Sequence, residues 1–133
     1  HKDRTKEELS KKLLEAGFSV KSVEFALEYA SGYGYLDDAS YAAKYVEYKK
    51  TTRSKKEIIY KLKEKGVSEA DYEEALMGYT KKDEIYAAAM LLKKRLKGAD
   101  FSELDYEEQA KHKAYLGRKG YPLDVISKAV KLL

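Results

Sequence analysis

Three glycines stand at matching places in this 133-residue chain and constrain its fold more than any other feature. They are Gly17, Gly66 and Gly120, which are 49 and 54 residues apart. A leucine lies four residues before each glycine and an apolar residue directly after it: Leu13, Leu62 and Leu116, then Phe18, Val67 and Tyr121. Apolar residues also recur six, nine and ten positions after each glycine. The chain therefore contains an internal repeat.

Each copy of the repeat predicts a helix that ends at the glycine and a second helix that begins soon after it. Glycine adopts the left-handed backbone just past a helix end, and the apolar residue after it packs back on the leucine. Ser19 and Ser68 are the expected N-caps of the second helix in the first two copies. In the third copy Pro122, which has no N–H to satisfy, starts this helix.

A further helical segment follows each of the first two copies. The first, "LDDASYAAKYVEYKK", begins with Asp37 and Asp38 as expected N-caps, and the second, "KKDEIYAAAMLLKKRL", with Asp83. The second segment carries one apolar stripe at helical spacing that we expect to face inward: Ile85, Ala89, Leu92 and Leu96. Each of the first two copies is thus predicted to contain three helices.

No segment shows the alternation of a β-strand, and two segments are interpreted as connectors, the glycine-rich residues 31–35 and the acidic residues 98–105. The predicted fold is all-α, built of tandem three-helix repeats at residues 5–50, 54–98 and 106–133, the last with two helices visible. Such units gain a core by contacting their neighbours. We therefore expect an elongated, curved, monomeric array that buries less than the roughly 65–70% of unfolded surface expected of a compact chain. Because the chain begins with His1, we also expect native residues upstream.

Basic and acidic residues are segregated along the chain. The formal net charge is +4 and the isoelectric point is near 9.0. Acidic residues gather at 69–74 and 100–108. Two basic clusters are candidates for a binding surface: Lys49, Lys50, Arg53, Lys55, Lys56 and Lys63, and then Lys93, Lys94, Arg95 and Lys97. This separation favours an anionic partner, either nucleic acid or an acidic protein. The alternative interpretation of each lysine is an ordinary solvated helix surface.

One tyrosine belongs with the first basic cluster. Tyr60 shares a helical face with Lys56 and Lys63, opposite the apolar Ile58 and Leu62. An exposed aromatic ring between lysines can stack on a base or cover an apolar patch of a partner. The competing interpretation is a partly buried contact with the next unit.

The residues needed for catalysis are scarce. Cysteine is absent, and the two histidines do not make an ordinary zinc site without it. There is no phosphate-binding Gly-x-x-x-x-Gly-Lys loop, and the paired acidic residues are interpreted as helix caps and solvated faces. We predict a protein that is not an enzyme and holds no cofactor or metal. The longest apolar run, residues 85–92, is too short to cross a bilayer.

The corner "KGVSEADYEEAL" has the outline of a DNA-binding helix-turn-helix. In that motif the second helix enters the major groove with its first residues at the base edges. Here those residues include Glu69, Asp71, Glu73 and Glu74, which phosphate repels. We therefore do not expect this helix to recognise a DNA base sequence in the major groove.

The ordered motifs resemble those of a known family. "GYLDDASYAAKYV", the basic residues after it, "IIYKLKEKGVSEADYEEAL" and "KHKAYLGRKGYPLDVI" are similar to RecX, the bacterial regulator of the RecA recombinase. The resemblance extends from about residue 4 to the end of the chain. It implies a cytoplasmic, non-enzymatic modulator of tandem three-helix repeats that lies in the groove of the RecA–DNA filament. Most members restrain ATP hydrolysis, strand exchange and repressor cleavage.

Three hypotheses remain at this point. In the first, the basic surface meets RecA, together with single- or double-stranded DNA of the filament. In the second, the chain is a helical nucleic-acid-binding module that uses the same surface without RecA. In the third, it is a helical scaffold for an unrelated protein.

Overall fold

A computed structural model describes residues 5–32 and 37–133. Within these residues the chain forms eight α-helices and no β-strand. Their bounds are α1 Lys6–Glu15, α2 Val20–Gly32, α3 Asp38–Lys49, α4 Lys55–Glu64, α5 Glu69–Ala75, α6 Lys81–Leu96, α7 Tyr106–Arg118 and α8 Leu123–Lys131. Two single-turn 3-10 helices, Leu76–Gly78 and Phe101–Glu103, follow α5 and precede α7. The predicted all-α fold of helical repeats is confirmed.

The three glycine corners have the predicted geometry. Gly17, Gly66 and Gly120 all have positive φ angles, of 94°, 82° and 100°. At the second corner the Val67 N–H donates to the Leu62 carbonyl at 3.0 Å, and the same bond joins the residues around the other two glycines. These are the backbone bonds of a Schellman motif. The corners are therefore one local structure made three times.

The helix starts follow the expected capping chemistry, with one difference. Ser68 accepts from the Asp71 N–H at the start of α5, and Asp37 accepts from the Ser40 N–H at the start of α3. At α6, however, the N-cap is Thr80 and Asp83 is the third helical residue. The expectation that Asp83 is the N-cap was wrong, because Thr80 and Asp83 form a reciprocal capping box that starts the helix three residues earlier.

Packing groups the helices into three-helix units that are offset by one helix from the sequence repeat. α3 packs chiefly on α5 with α4 against both, and α6 packs chiefly on α8 with α7 against both. The sequence repeat assigned α3 to the end of residues 5–50 and α6 to the end of residues 54–98. Contact rather than order along the chain decides the unit, since α3 and α6 each bury their apolar face on the corner that follows them. α1 and α2 pack on each other.

Each unit has its own core. The first core lies in α3–α5 and the turn after it: Ala42, Val46, Ile58, Leu62, Val67, Tyr72, Leu76 and Tyr79. The second lies in α6–α8 and includes Leu92, Leu116, Tyr121, Val125 and Ile126. Ala89, Leu92 and Leu96 are buried and Ile85 packs beside them, as the stripe on α6 predicts. The acidic connector at 98–105 also contributes, because Phe101 is buried in the second core. The other connector, residues 31–35, is described only through Gly32, where α2 ends.

The molecule exposes more surface than a compact protein of its size. Its accessible area is 9185 Å², whereas a compact chain of 15.2 kDa exposes about 7,100 Å². About 58% of the unfolded surface is therefore buried. This confirms the predicted shortfall and fits two small cores in tandem. None of the helices described is long and apolar enough to span a membrane.

Candidate functional site: a basic groove beside the junction of two units

The structure brings part of the first basic cluster against part of the second. The loop that follows α3 lies along the outer face of α6 and encloses a groove of about 490 Å³. We call it the basic groove, and it is lined by Thr51, Thr52, Arg53, Ala87, Met90, Leu91, Lys93 and Lys94. Arg53 and Lys93 are 40 positions apart in the sequence, so only the fold makes them neighbours.

The α3–α4 loop is held in place by bonds to the next connection. The Tyr79 hydroxyl donates to the Arg53 carbonyl at 2.6 Å. The Lys50 ammonium donates to the Gly78 carbonyl at 3.2 Å and lies 3.1 Å from a Glu47 carboxylate oxygen. The Lys50 ammonium is thus already bonded within the protein. The backbone of the loop at Arg53 is held by the hydrogen bond from Tyr79.

The start of α4 is tied to the α6–α8 unit. The Ser54 hydroxyl, at the N-cap of α4, donates to the Lys119 carbonyl at the third corner over 2.7 Å. The Lys55 N–H donates to the Glu84 carboxylate on α6 at 3.1 Å. Glu84 is only 4% exposed, and this backbone donor gives its charge a partner. Two hydrogen bonds therefore join the α3–α5 unit to the α6–α8 unit.

The same junction occurs one unit earlier. The Thr5 hydroxyl, at the N-cap of α1, donates to the Lys65 carbonyl at the second corner over 2.6 Å. The Lys6 N–H donates to the Asp38 carboxylate at the start of α3 at 3.2 Å. Lys65 also pairs with Glu8 at 2.9 Å. Burial raises the pKa of the Asp38 carboxyl, and the hydrogen bond from Lys6 opposes this effect. The array repeats its joints as well as its corners.

A smaller cavity of about 160 Å³ continues the basic groove toward α7. It shares three residues with the groove and adds four others: Glu57, Tyr115, Lys119 and Tyr121. Arg53 Nε lies 3.2 Å from the Glu57 carboxylate there. Lys119 brings a further cation, so the positive surface extends from α6 onto α7.

Two buried tyrosines lie beneath this region. Burial raises the pKa of the Tyr79 hydroxyl far above its ordinary value, and does the same for Tyr121. Both are almost completely enclosed. The Tyr121 hydroxyl is buried with no hydrogen-bond partner among the described residues. Both tyrosines therefore remain protonated and neutral.

The remaining residues of the second basic cluster lie outside the groove. The Arg95 guanidinium sits 4.0 Å from the centre of the Tyr115 ring, and its Nε donates to His112 Nδ1 at 3.1 Å. Lys97 ends α6 in the left-handed conformation and is exposed. Arg95 thus binds α6 to α7, and the structure does not place it with Lys93 and Lys94.

The other candidates of the first cluster occupy two further places. Lys49 lies over the ring of Tyr48 at 5.0 Å, at the end of α3. On α4, Lys56, Tyr60 and Lys63 share an exposed face, and Tyr60 is 64% exposed. Lys55 begins α4 with its ammonium 5.8 Å from the Tyr79 ring. Tyr60 does not make the partly buried contact with the next unit that one interpretation expected. The role of these residues in binding stays a prediction.

Sequence reasoning missed the apolar floor and the α7 wall of this site. Met90 and Leu91 stood between the positions of α6 that were expected to face inward and were not singled out, and Lys119 stood at a helix end. One signal was available: the residue before the glycine is lysine at both Gly66 and Gly120, namely Lys65 and Lys119. Each accepts the N-cap bond of the preceding repeat. Among residues 5–32 and 37–133, no three histidine, aspartate or glutamate side chains converge to hold a metal ion.

These features define a class of protein, a tandem array of three-helix units that carries a basic surface across its junction. Residues 37–76 match the family model described as the second three-helix domain of RecX, and residues 83–130 match that of the third. The chain belongs to the RecX family, whose curated members are regulatory proteins.

Relatives in two genera illustrate the similarity. Regulatory protein RecX of Clostridium botulinum (strain Alaska E43 / Type E3) is 33% identical over 129 residues, which cover 96% of this chain and 61% of the relative. Regulatory protein RecX of Bacillus licheniformis is 32% identical over 129 residues, 96% of this chain and 49% of the relative. The chain thus spans about half to three fifths of the length of these proteins.

Solved structures show the same architecture. The crystal structure of RecX from Lactobacillus salivarius superposes with a TM-score of 0.86 at 26% identity, over 100% of this chain and 87% of that one. A second crystal structure, of a regulatory protein RecX, also gives 0.86, at 27% identity over 96% and 65% of the two chains. The offset three-helix unit seen here agrees with the bounds of the two matching family models.

Proposed function

We propose that this chain is a non-enzymatic modulator of the RecA recombinase that lies along the groove of the RecA–DNA filament and restrains its activities. These activities are ATP hydrolysis, strand exchange and repressor cleavage, and they take place in the cytoplasm. Membership of the RecX family supports the choice of partner. The single structural observation that carries the proposal is the basic groove, where two separate basic clusters meet across a repeated junction.

The physical argument begins with periodicity. A filament groove presents the same contact again at each subunit, and an array with repeated joints can meet it at several weak sites. Linked sites act at high effective concentration, so the total affinity exceeds that of any one contact. A bridge between subunits then shifts the filament toward the state that it binds better. Restraint of ATP hydrolysis follows when that state is the less active one.

The test compares RecA ATPase activity on single-stranded DNA in the presence of two double variants. Lys93→Glu/Lys94→Glu reverses two exposed charges at the basic groove. Lys111→Glu/Lys113→Glu reverses two exposed charges on α7 and changes the net charge equally. We expect the first variant to need at least about tenfold more protein for half-maximal inhibition, because two attractive contacts become repulsive. The second should behave like the parent chain.

Equal inhibition by both variants would remove the basic groove from the mechanism. Absence of any effect of the parent chain on RecA would reject the proposed function itself.

A second candidate function is binding to nucleic acid without RecA. The observation that favours it is Tyr60, exposed on α4 between two exposed lysines, where a base can stack. Binding of this kind weakens steeply with salt, with a log–log slope near −0.9 for each phosphate contact on duplex DNA. A filament modulator acts instead at concentrations where naked DNA remains free, so one salt titration on DNA alone separates the two functions.

A further inference from the structure

The floor of the basic groove is apolar, and this distinguishes it from a phosphate-binding surface. Met90 forms its exposed part, beside Ala87 and Leu91, which also pack into or against the second core. Met90 is 44% exposed although α6 turns Leu92 and Leu96 into the second core. The apolar surface of α6 therefore continues from the second core out to the exposed Met90 in the groove.

Every charged residue that lines the groove is cationic. Arg53 stands on one side and Lys93 and Lys94 on the other, and no carboxylate is among the lining residues. The carboxylate that pairs with Arg53, Glu57, lines the adjoining cavity, where Lys119 offsets it. The groove thus combines excess positive charge with a surface that gains from contact with an apolar side chain.

Nucleic acid fits this combination poorly. Phosphates would pair with the cationic side chains of the groove but would leave its apolar floor exposed to water. A base would need an open aromatic face, and the ring at this end of the groove, Tyr115, already has the Arg95 guanidinium 4.0 Å from its centre. The Lys119 ammonium lies 5.5 Å from the same ring. None of the residues that line the groove itself offers an aromatic ring for a base to stack on.

We infer that the basic groove receives a segment of a partner protein in which apolar side chains are flanked by carboxylates. The apolar side chains occupy the floor over Met90, whose flexible thioether adapts to different shapes. The carboxylates meet Arg53, Lys93 and Lys94, and the hydroxyls of Thr51 and Thr52 offer additional hydrogen bonds. The inference rests on the proposed function only in assigning the groove to the partner-facing surface. Its test needs no RecA.

The chain provides an internal control for this test, because it contains only two methionines. Met90 lines the groove, whereas Met77 is 82% exposed in the turn after α5 and lines neither the groove nor its side cavity. With ¹³C-methyl methionine, the NMR spectrum should therefore show one reporter inside the site and one outside it.

The probe is a capped hexapeptide, Asp-Glu-Leu-Leu-Asp-Glu, titrated at physiological ionic strength. We expect the Met90 methyl signal to shift in a saturable manner and the Met77 signal to stay in place. Replacing both leucines of the peptide by glycine should weaken binding at least about tenfold, since burial of each leucine is favourable. Replacing its acidic residues by glutamine should have a similar effect. Lys93→Glu/Lys94→Glu should abolish the shift, and Lys111→Glu/Lys113→Glu should retain it.

Three outcomes would overturn the inference. They are equal shifts at Met77 and Met90, no shift at Met90, or a Met90 shift as large with a thymidine oligonucleotide of the same net charge. The last would assign the groove to nucleic acid. If the peptide binds as expected and the chain has no effect on RecA, the groove assignment stands and the proposed function fails. The reverse pair of results leaves RecA modulation in place and excludes this ligand for the groove.

Discussion

Replacing Gly120 by alanine tests whether the corners serve the junctions as well as the helix ends. The φ angle of Gly120 is 100°, and the left-handed backbone costs an alanine roughly 1–2 kcal/mol of conformational free energy. In addition, a Cβ at Gly120 would lie 2.4 Å from Ser54 Oγ, which donates to the Lys119 carbonyl. Moving that hydroxyl sacrifices a hydrogen bond worth about 0.5–1.5 kcal/mol. We therefore expect Gly120→Ala to lower the free energy of unfolding by about 2–3 kcal/mol.

Gly17 offers the matched control. Its φ is 94°, close to the 100° of Gly120, but nothing lies within 4 Å of a Cβ placed there. Gly17→Ala should therefore show only the backbone cost, about 1–2 kcal/mol. The free energies are measured by urea unfolding followed by helical circular dichroism, with the slope of the transition checked for constancy.

A double-mutant cycle isolates the free energy of the Ser54–Lys119 junction bond without relying on the comparison with Gly17. Ser54→Ala removes the hydroxyl and leaves Ser54 Cβ, 3.4 Å from the added carbon. In that background Gly120→Ala should cost about 1 kcal/mol less than in the parent chain, because the bond is already lost. A coupling free energy near zero, together with equal costs at Gly17 and Gly120, would refute the idea that the corner is shaped for its neighbour.

Two further predictions concern the buried tyrosines. Tyr79→Phe should lower the free energy of unfolding by about 1 kcal/mol, because it removes the 2.6 Å bond to the Arg53 carbonyl, whereas Tyr121→Phe should be neutral or stabilising, because the hydroxyl it removes has no partner. Equal losses in urea unfolding would contradict this assignment. Burial raises the pKa of both tyrosines above the unfolded value near 10. The stability that their neutral forms contribute is therefore complete below about pH 10. It is lost as the pH rises further, by about 1.4 kcal/mol of unfolding free energy per pH unit for each tyrosine. Unfolding midpoints measured from pH 9 to 11.5 should therefore fall more steeply for the parent chain than for the double phenylalanine variant, and parallel curves would exclude this source of alkaline instability.

Much of the fold could be predicted from the sequence because its signals are local. The Gly66 corner needs a leucine four residues before it, an apolar residue after it and a serine cap, and all of these lie within seven residues. Capping bonds of this kind form within one turn of helix. The grouping of helices into units is different, because it depends on which apolar faces meet. The sequence order placed α3 with α2, whereas its buried Ala42 and Val46 lie in a core with Leu62 and Tyr72.

Less of the candidate site could be predicted, because its contacts are distant in sequence. The clusters that contain Arg53 and Lys93 were recognised as basic, and their meeting in one groove depends on bonds such as Tyr79 to the Arg53 carbonyl. The apolar floor was hidden for a second reason. Met90 and Leu91 are adjacent in a helix rich in apolar residues, and periodicity alone does not say that Leu91 packs against the core while Met90 is exposed in the groove.

The junctions also limit how the array can be extended. Each joint described here requires an N-cap hydroxyl that donates a hydrogen bond to the corner carbonyl of the next unit, as Thr5 and Ser54 do. α7 has 13 residues where α1 and α4 have 10, so it begins one turn earlier, at the N-cap Asp105. Thr5 and Ser54 each lie 12 residues before a corner glycine, Gly17 and Gly66. The residue that lies 12 positions before Gly120 is Glu108. An ionised carboxylate accepts hydrogen bonds and donates none, so neither acid can make the joint that links the earlier repeats. The same chemistry that aligns the units thus makes α7 unable to join another corner in this way, and leaves its acidic start, Asp105 to Glu108, as a surface of opposite sign to the basic groove.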